Sequence, residues 1–248
     1  MNVIAIIPAR YASSRLPGKP LLELGGKTII QRVYEQVAAV PALDAVAVAT
    51  DDERIVQHVQ DFGGQAYLTS TTHRSGTDRI AEVANQLPDF DVVVNVQGDE
   101  PFVTRGQINA LIDAVGEGRA EIATLAHLLK DHERLFDPNV VKVVFNRRGQ
   151  AMYFSRSVIP YVRDHDKKEW IDEQSFFQHL GMYAFRREVL LEVTSLLPSR
   201  YEQLESLEQL RWLDYGKHIQ VVLTEEKGMG IDTPADLERA KKYIKRYE

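Results

Sequence analysis

Val3-Ile4-Ala5-Ile6-Ile7, followed directly by Pro8-Ala9-Arg10-Tyr11-Ala12-Ser13-Ser14-Arg15-Leu16-Pro17-Gly18-Lys19-Pro20-Leu21, is the stretch that decides the fold class. Five apolar residues in a row read as a strand buried on both faces, which is how strands of a parallel sheet read. Three cations, two serines and a glycine then leave its carboxyl end together. Open α/β sheets bind ligands at the carboxyl ends of their strands. Arg10, Arg15 and Lys19 on one loop there suit a polyanion, and a nucleoside triphosphate is the natural candidate. Neither common phosphate fingerprint is present. No G-x-G-x-x-G follows the strand, and Gly26-Lys27-Thr28 copies only the tail of a Walker A motif, whose first glycine should stand at Leu21. Lys27-Thr28 reads instead as the opening of a helix.

Working outward, apolar strands over 3–7, 46–49, 66–68 and 92–96 alternate with amphipathic helices over 28–40, 52–62, 77–86 and 104–115. This alternation predicts an α/β fold, with a mostly parallel sheet flanked by helices on both faces. Thr50-Asp51-Asp52-Glu53 has the form of a capping box at the second helix. Beyond Val115 the regularity fades. Strands over 122–129, 140–145 and 151–154 follow one another without long helices. A strand over 179–185, a helix over 204–215, a short strand over 219–223 and a closing helix over 234–247 complete the chain. Thr233 reads as the N-cap of that last helix and Pro234 as its first residue. The pattern predicts one domain over 1–248, with a smaller second lobe near 120–215.

The composition narrows the function. Net charge is −6, with the cations of the first loop set in an acidic protein, which favours a small anionic ligand over a nucleic-acid partner. The absence of cysteine removes disulfides, zinc-thiolate sites and thiol nucleophiles. No apolar run reaches membrane-spanning length, and the N-terminus lacks the regions of a signal peptide, so a cytoplasmic protein without a membrane partner is expected. Histidine spacings do not suggest zinc, and no G-x-S-x-G elbow occurs.

Two carboxylates stand out. Asp99 follows Gly98 at the end of the strand over 92–96, and Asp232 precedes the last helix after Gly228 and Gly230. A carboxylate directed into a cleft must be paired or bind a metal. Magnesium is held by one or two carboxylates plus substrate phosphates. Each aspartate also has a plain structural role open to it: Asp99 as a turn residue capping the next helix, Asp232 as a partner of a helix dipole. Spacing leaves both readings open.

At this point the chain resembles a known family. Pro8-Ala9-Arg10 through Arg15-Leu16-Pro17-Gly18-Lys19, Ser75-Gly76-Thr77-Asp78-Arg79, Val96-Gln97-Gly98-Asp99-Glu100-Pro101 and Gly230-Ile231-Asp232-Thr233-Pro234 are similar, in order, to motifs of the CMP-Kdo synthetases, the 3-deoxy-manno-octulosonate (Kdo) cytidylyltransferases. Ser155-Arg156-Ser157-Val158-Ile159-Pro160, His179-Leu180-Gly181-Met182-Tyr183 and Leu207-Glu208-Gln209-Leu210-Arg211 fit the same family. Each motif is weak alone, but the ordered set spans nearly the whole chain.

The resemblance implies a glycosyltransferase-A-like, Rossmann-related fold and usually a homodimer, with dimer contacts from the second lobe. It implies transfer of cytidylyl from CTP to Kdo, giving pyrophosphate and CMP-Kdo for the lipopolysaccharide inner core. Arg10, Lys19, Asp99 and Asp232 are the implied catalytic residues, with Asp99 and Asp232 ligating Mg2+. Arg10, Arg15, Lys19, Arg74, Ser75 and Gln97 are the implied nucleotide contacts. Arg156, His179, Tyr183, Glu208 and Gln209 are the implied sugar contacts. In the expected reaction the sugar 2-hydroxyl attacks the α-phosphorus in line, and no protein base is obligatory. A CMP-acylneuraminate synthetase would run the same chemistry on a changed acceptor, although its first loop is glycine-rich where this chain has Tyr11-Ala12-Ser13-Ser14. An 8-amino Kdo acceptor would need few changes in the sugar pocket. A CTP-binding module without turnover would have no need of the metal ligands Asp99 and Asp232.

Overall fold

The computed structural model describes residues 1–12, 16–116, 118, 120–226 and 228–247, the last two without their side chains. Eleven strands lie within these residues: β1 (Val3–Ala9), β2 (Glu23–Leu24), β3 (Lys27–Thr28), β4 (Ala45–Thr50), β5 (Ala66–Leu68), β6 (Val92–Asn95), β7 (Ile122–Leu129), β8 (Lys142–Phe145), β9 (Ala151–Ser155), β10 (Phe176–Arg186) and β11 (Ile219–Leu223). The helices are α1 (Ile29–Ala38), α2 (Glu53–Asp61), α3 (Gly76–Gln86), α4 (Arg105–Gly116), α5 (His132–Phe136), α6 (Trp170–Glu173), α7 (Arg187–Ser195), α8 (Arg200–Glu205), α9 (Gln209–Asp214) and α10 (Pro234–Tyr247).

The main sheet has the order β11-β7-β10-β6-β1-β4-β5. β1 pairs in parallel with β4 and β6, β4 with β5, and β11 with β7. Strand β10 runs antiparallel to both of its neighbours, β6 and β7. The fold is thus the expected mixed α/β class with a mostly parallel sheet. β8 and β9 extend from β10 as an antiparallel pair. Of segment 120–215, β7 and β10 are therefore built into the central sheet, while β8 and β9 project from it.

Alternation along β1 divides the core. Val3, Ala5 and Ile7 face α1, α4 and α10 through Ile30, Val33, Leu111 and Ile244. Ile4 and Ile6 face α3, α7 and α9 through Ile80, Val83, Leu190 and Trp212. These strands are apolar at every position because both faces are covered.

Several local readings change. Thr50 does not cap α2: Asp52 is the N-cap, its Oδ1 accepting from the Arg54 amide at 3.0 Å. The helix expected over 204–215 is two helices. Ser206, at φ +53°, breaks it between α8 and α9 in the left-handed region that non-glycine residues rarely enter. Helix α7 has no counterpart in the sequence pattern, because Arg187-Glu188-Val189-Leu190-Leu191 carries no cap that marks its start. Thr28 does open α1, its hydroxyl accepting from the Gln31 amide.

Candidate active site

The first loop closes on itself before it reaches the site. The Gly18 amide donates to the Tyr11 carbonyl at 2.9 Å, and Gly18 holds φ +68°, a conformation that glycine takes without a steric cost. Lys19 follows, inside a short 3-10 turn, and its side chain points back across the end of the sheet. There its Nζ lies 2.5 Å from Asp99 Oδ2 and 3.0 Å from Asp232 Oδ1. Three segments at least 80 residues apart in pairs thus meet at one ammonium.

Backbone bonds fix that convergence. Ile231 donates to the Asp99 carbonyl at 2.9 Å, which stitches the loop before α10 to the end of β6. Thr233 and Asp236 then cap α10 reciprocally, with Thr233 N donating to Asp236 Oδ2 at 2.8 Å and Asp236 N to Thr233 Oγ1 at 3.2 Å. The cap leaves the Asp232 side chain directed at Lys19. Burial alone would lower the Lys19 pKa, but Asp99 and Asp232 outweigh it and hold the ammonium above its usual range. Neighbouring Glu100 shifts the opposite way for a carboxylate. Burial, then repulsion from Asp99 and Asp232, push its carboxyl up to about 8 against the pull of Lys19.

Arg10, Lys19, Gln97, Asp99 and Asp232 line one cleft of about 460 Å³ at the carboxyl ends of β1 and β6. Gly98 lets the two strand ends touch: a Cβ there would stand 2.7 Å from the Pro8 carbonyl oxygen. Gln97 reaches across the cleft wall, and its Nε2 donates to the Gly181 carbonyl at 2.9 Å. Gly181 sits at a register shift in β10, where two residues bulge between Leu180 and Tyr183. Thr124 closes the bulge, its hydroxyl lying 2.7 Å from the Met182 carbonyl and 2.9 Å from His179 Nε2.

The other described residues read from sequence do not line this cleft. Arg15 lies outside the described residues. Ser75 caps α3 in a capping box with Asp78, and Gly76 after it reaches the cleft. Arg74 is exposed and borders a separate depression between α3 and α7. Of the five sugar candidates, His179 and Tyr183 are in ring contact and Tyr183 feels the charge of Glu208, while Arg156 meets neither ring. His179 is buried against Phe154 and Tyr183, and burial lowers its pKa to about 3, so the ring is neutral. Glu208 accepts from the Thr77 hydroxyl on the first turn of α3, and burial raises its pKa. Gln209 is buried at the start of α9. The Arg156 guanidinium is engaged by backbone carbonyls, with Nε 2.7 Å from Glu205 O and Nη1 3.1 Å from Pro138 O. Among the described residues, Tyr183 Oη and Glu208 Oε2 are buried without a hydrogen-bond partner. Such atoms are costly unless a ligand satisfies them.

Arg79 is a charged cleft residue with no role assigned from the sequence. It is 1% exposed on α3, yet it lines the cleft, and its Nη2 lies 2.8 Å from Asp51 Oδ2 and its Nη1 2.5 Å from Thr69 Oγ1. A cation among Ile80, Val83 and Ala84 on an otherwise apolar helix face was the available signal.

Among the described residues no cluster of three or more acidic or histidine side chains could hold a metal by itself. Asp99 and Asp232 nevertheless aim hard oxygen donors at a common point already occupied by one positive charge. That donor set fits Mg2+ if substrate phosphate and water supply the remaining ligands. No helix among the described residues is long and apolar enough to cross a membrane.

Comparison with known proteins bears on the family and the fold. Residues 4–219 match the cytidylyltransferase family. The chain is 50% identical over 249 residues to the 3-deoxy-manno-octulosonate cytidylyltransferase of Parabacteroides distasonis, covering 98% of each. It is 45% identical to that of Thermodesulfovibrio yellowstonii, over the whole of both. A solved structure of CMP:2-keto-3-deoxy-manno-octonic acid synthetase complexed with CTP matches with a TM-score of 0.93 at 41% identity, covering all of both chains. The 4-diphosphocytidyl-2C-methyl-D-erythritol synthase of Anaerococcus prevotii shares the fold, with a TM-score of 0.65 at 18% identity over 99% of each chain. With the ordered motifs, the sheet and full-length relatives in agreement, the chain is a nucleotidyltransferase and belongs to the CMP-Kdo synthetase, or 3-deoxy-manno-octulosonate cytidylyltransferase, family.

Proposed function

We propose that this protein transfers the cytidylyl group of CTP to Kdo, releasing pyrophosphate and CMP-Kdo. The observation that carries the reading is the meeting of Lys19, Asp99 and Asp232 in the cleft, in a chain whose full-length relatives bear this activity in their names. The oxygen of the sugar 2-hydroxyl bonds to the α-phosphorus, the bond to the β-phosphate oxygen breaks, and the hydroxyl proton passes to solvent. Arg10 and Lys19 neutralise the charge that grows on the leaving pyrophosphate. Lys19 is charged throughout the physiological range, so it needs no proton transfer to do this. Asp99 and Asp232 would hold Mg2+, which when bound supplies charge neutralisation and lowers the pKa of the attacking hydroxyl.

In this reading Ser75, Arg74 and Gln97 contact the nucleotide, with Arg74 turning in from its exposed position. Arg156, His179, Tyr183, Glu208 and Gln209 surround the sugar acid, a role supported by the unsatisfied Tyr183 and Glu208 oxygens. The product feeds lipopolysaccharide inner-core synthesis in the cytoplasm. The chain works as a homodimer through segment 120–215, where Met152, Leu197 and Leu204 are each more than 60% exposed.

The test is pyrophosphate release with CTP, Mg2+ and Kdo, with each omitted in turn and with UTP and N-acetylneuraminate as replacements. Release that needs all three components and fails with both replacements supports the reading. Release with another sugar acid but not with Kdo overturns the acceptor, and silence from folded, CTP-binding protein overturns the activity.

A further inference from the structure

The geometry points to Lys142 as a positioning residue for the sugar-acid half of the site, acting through Arg156 and the corner between α8 and α9. This rests on the reading that Arg156, Glu208 and Gln209 serve the sugar.

Lys142 is fully buried, with 0% of its surface exposed, on β8 where β8, β9 and β10 meet. Its Nζ donates to three carbonyl oxygens: Val140 at 2.6 Å, Arg156 at 2.6 Å and Asp137 at 3.0 Å. Three acceptors match the three protons of an ammonium, so every donor is used. None of the three is a carboxylate; the Asp137 and Glu205 carboxylates favour the charged form from nearby, but burial outweighs them and the pKa falls below its usual range. Burying a charge this way is expensive, and simple filling of the core would be served better by an apolar side chain. What the arrangement does is join the 137–140 turn to the backbone of Arg156.

The same turn is held from the other side. Arg156 Nη1 reaches Pro138 O, while its Nε reaches Glu205 O at 2.7 Å and its Nη2 reaches Ser206 O at 3.4 Å. Glu205 answers with its carboxylate, accepting from Arg156 N at 2.9 Å and Ser155 Oγ at 2.6 Å. Ser206 is the left-handed residue that ends α8, and Glu208 and Gln209 begin the next helix two and three residues later. Glu208 in turn grips Thr77 beside the cleft. Lys142 therefore sits at the root of a continuous polar chain that sets where α9 starts. None of its three hydrogen-bond acceptors lines the nucleotide cleft.

The measurement is the KM for Kdo at saturating CTP, beside the dissociation constant of CTP measured without sugar, for wild type, Lys142→Met and Glu205→Ala. Folding is checked by circular dichroism and melting. Lys142→Met keeps the length of the chain and removes its donors. Misplacing a binding group by about 1 Å can cost on the order of a hundredfold, so the Kdo KM should rise about tenfold or more while CTP affinity stays within about twofold. Glu205→Ala should show the same selective rise, and it carries the test if Lys142→Met does not fold. A folded variant whose Kdo KM stays within twofold overturns the assignment. So does an equal weakening of both substrates, which is the signature of a merely structural lysine. Absence of turnover with Kdo in the wild type would instead overturn the functional reading on which the assignment stands, and the CTP binding arm tells that case apart.

Discussion

Arg79 and Asp51 form an ion pair at the edge of the cleft, Nη2 to Oδ2 at 2.8 Å, although one sits on α3 and the other at the end of β4. The guanidinium is almost wholly buried while the carboxylate is partly open to water. Asp51→Asn should therefore destabilise the fold by about 3 kcal/mol, because it leaves a buried charge uncompensated. Arg79→Met should cost less, since Asp51 can be solvated. Urea unfolding of both variants checks the order, and the reverse order would show that the carboxylate is the more deeply buried partner.

Asp99→Asn and Asp232→Asn should each lower turnover by roughly 100- to 1000-fold, the usual effect of losing one preorganised electrostatic group. Both side chains are partly exposed, so melting temperatures should change little. Chelation of divalent metal should abolish turnover in the wild type, and added Mg2+ should restore it. Near wild-type rates in both variants would remove these carboxylates from the reaction.

His179 gives a pH dependence whose sign follows from burial. Its pKa falls from 6.5 to about 3 in the folded chain. Between those values the unfolded chain binds the extra proton, so stability is full above about pH 6.5 and declines on acidification. One proton corresponds to roughly 1.4 kcal/mol per pH unit across that window. His179→Gln should lower stability at neutral pH by disturbing the Phe154 and Tyr183 packing. It should also flatten the acid slope by one proton, measured by denaturant unfolding from pH 7 to 4. An unchanged slope would place a charged imidazole in the native state.

Gly98→Ala should impair both stability and activity. The added methyl carbon would fall 2.7 Å from the Pro8 carbonyl oxygen, which belongs to a strand rather than a flexible side chain. Overpacking of this kind costs about 1–3 kcal/mol. Because Pro8 and Gly98 both line the cleft, CTP binding should weaken as well, which calorimetry can follow.

The sequence was legible where one physical signal dominated. Val3-Ile4-Ala5-Ile6-Ile7 and Val92-Val93-Val94 are apolar throughout and alternate with amphipathic helices, so their parallel pairing followed. Lys19, Asp99 and Asp232 stood out as polar residues leaving buried strands or preceding a cap. The break at Ser206 was hidden because the leucine spacing of Leu204, Leu207 and Leu210 continues across it. Asp51 was hidden by Asp52, since either aspartate can serve a helix start and only one does. Lys142 was hidden by its strand: a lysine between Val141 and Val143 reads as a solvent-facing position, and only the arrival of the Asp137, Val140 and Arg156 carbonyls reveals it as interior. Arg79 differs: its place on the apolar face of α3 marks it as interior, but not that Asp51 and Thr69 would pair with it.

The reversed strand β10 has a consequence for biosynthesis. It is inserted between β6 and β7, which precede it by some 50 to 80 residues. A nascent chain that has emerged only as far as residue 175 carries β6 paired with β1 on one edge and open on the other, and β7 without either of its neighbours, β10 and β11. Unpaired edges of this kind template association with other chains. Until the ribosome delivers residues 176–186, this protein is most exposed to chaperones and to its own copies, and a premature stop before that point yields a product prone to aggregate rather than a smaller folded domain.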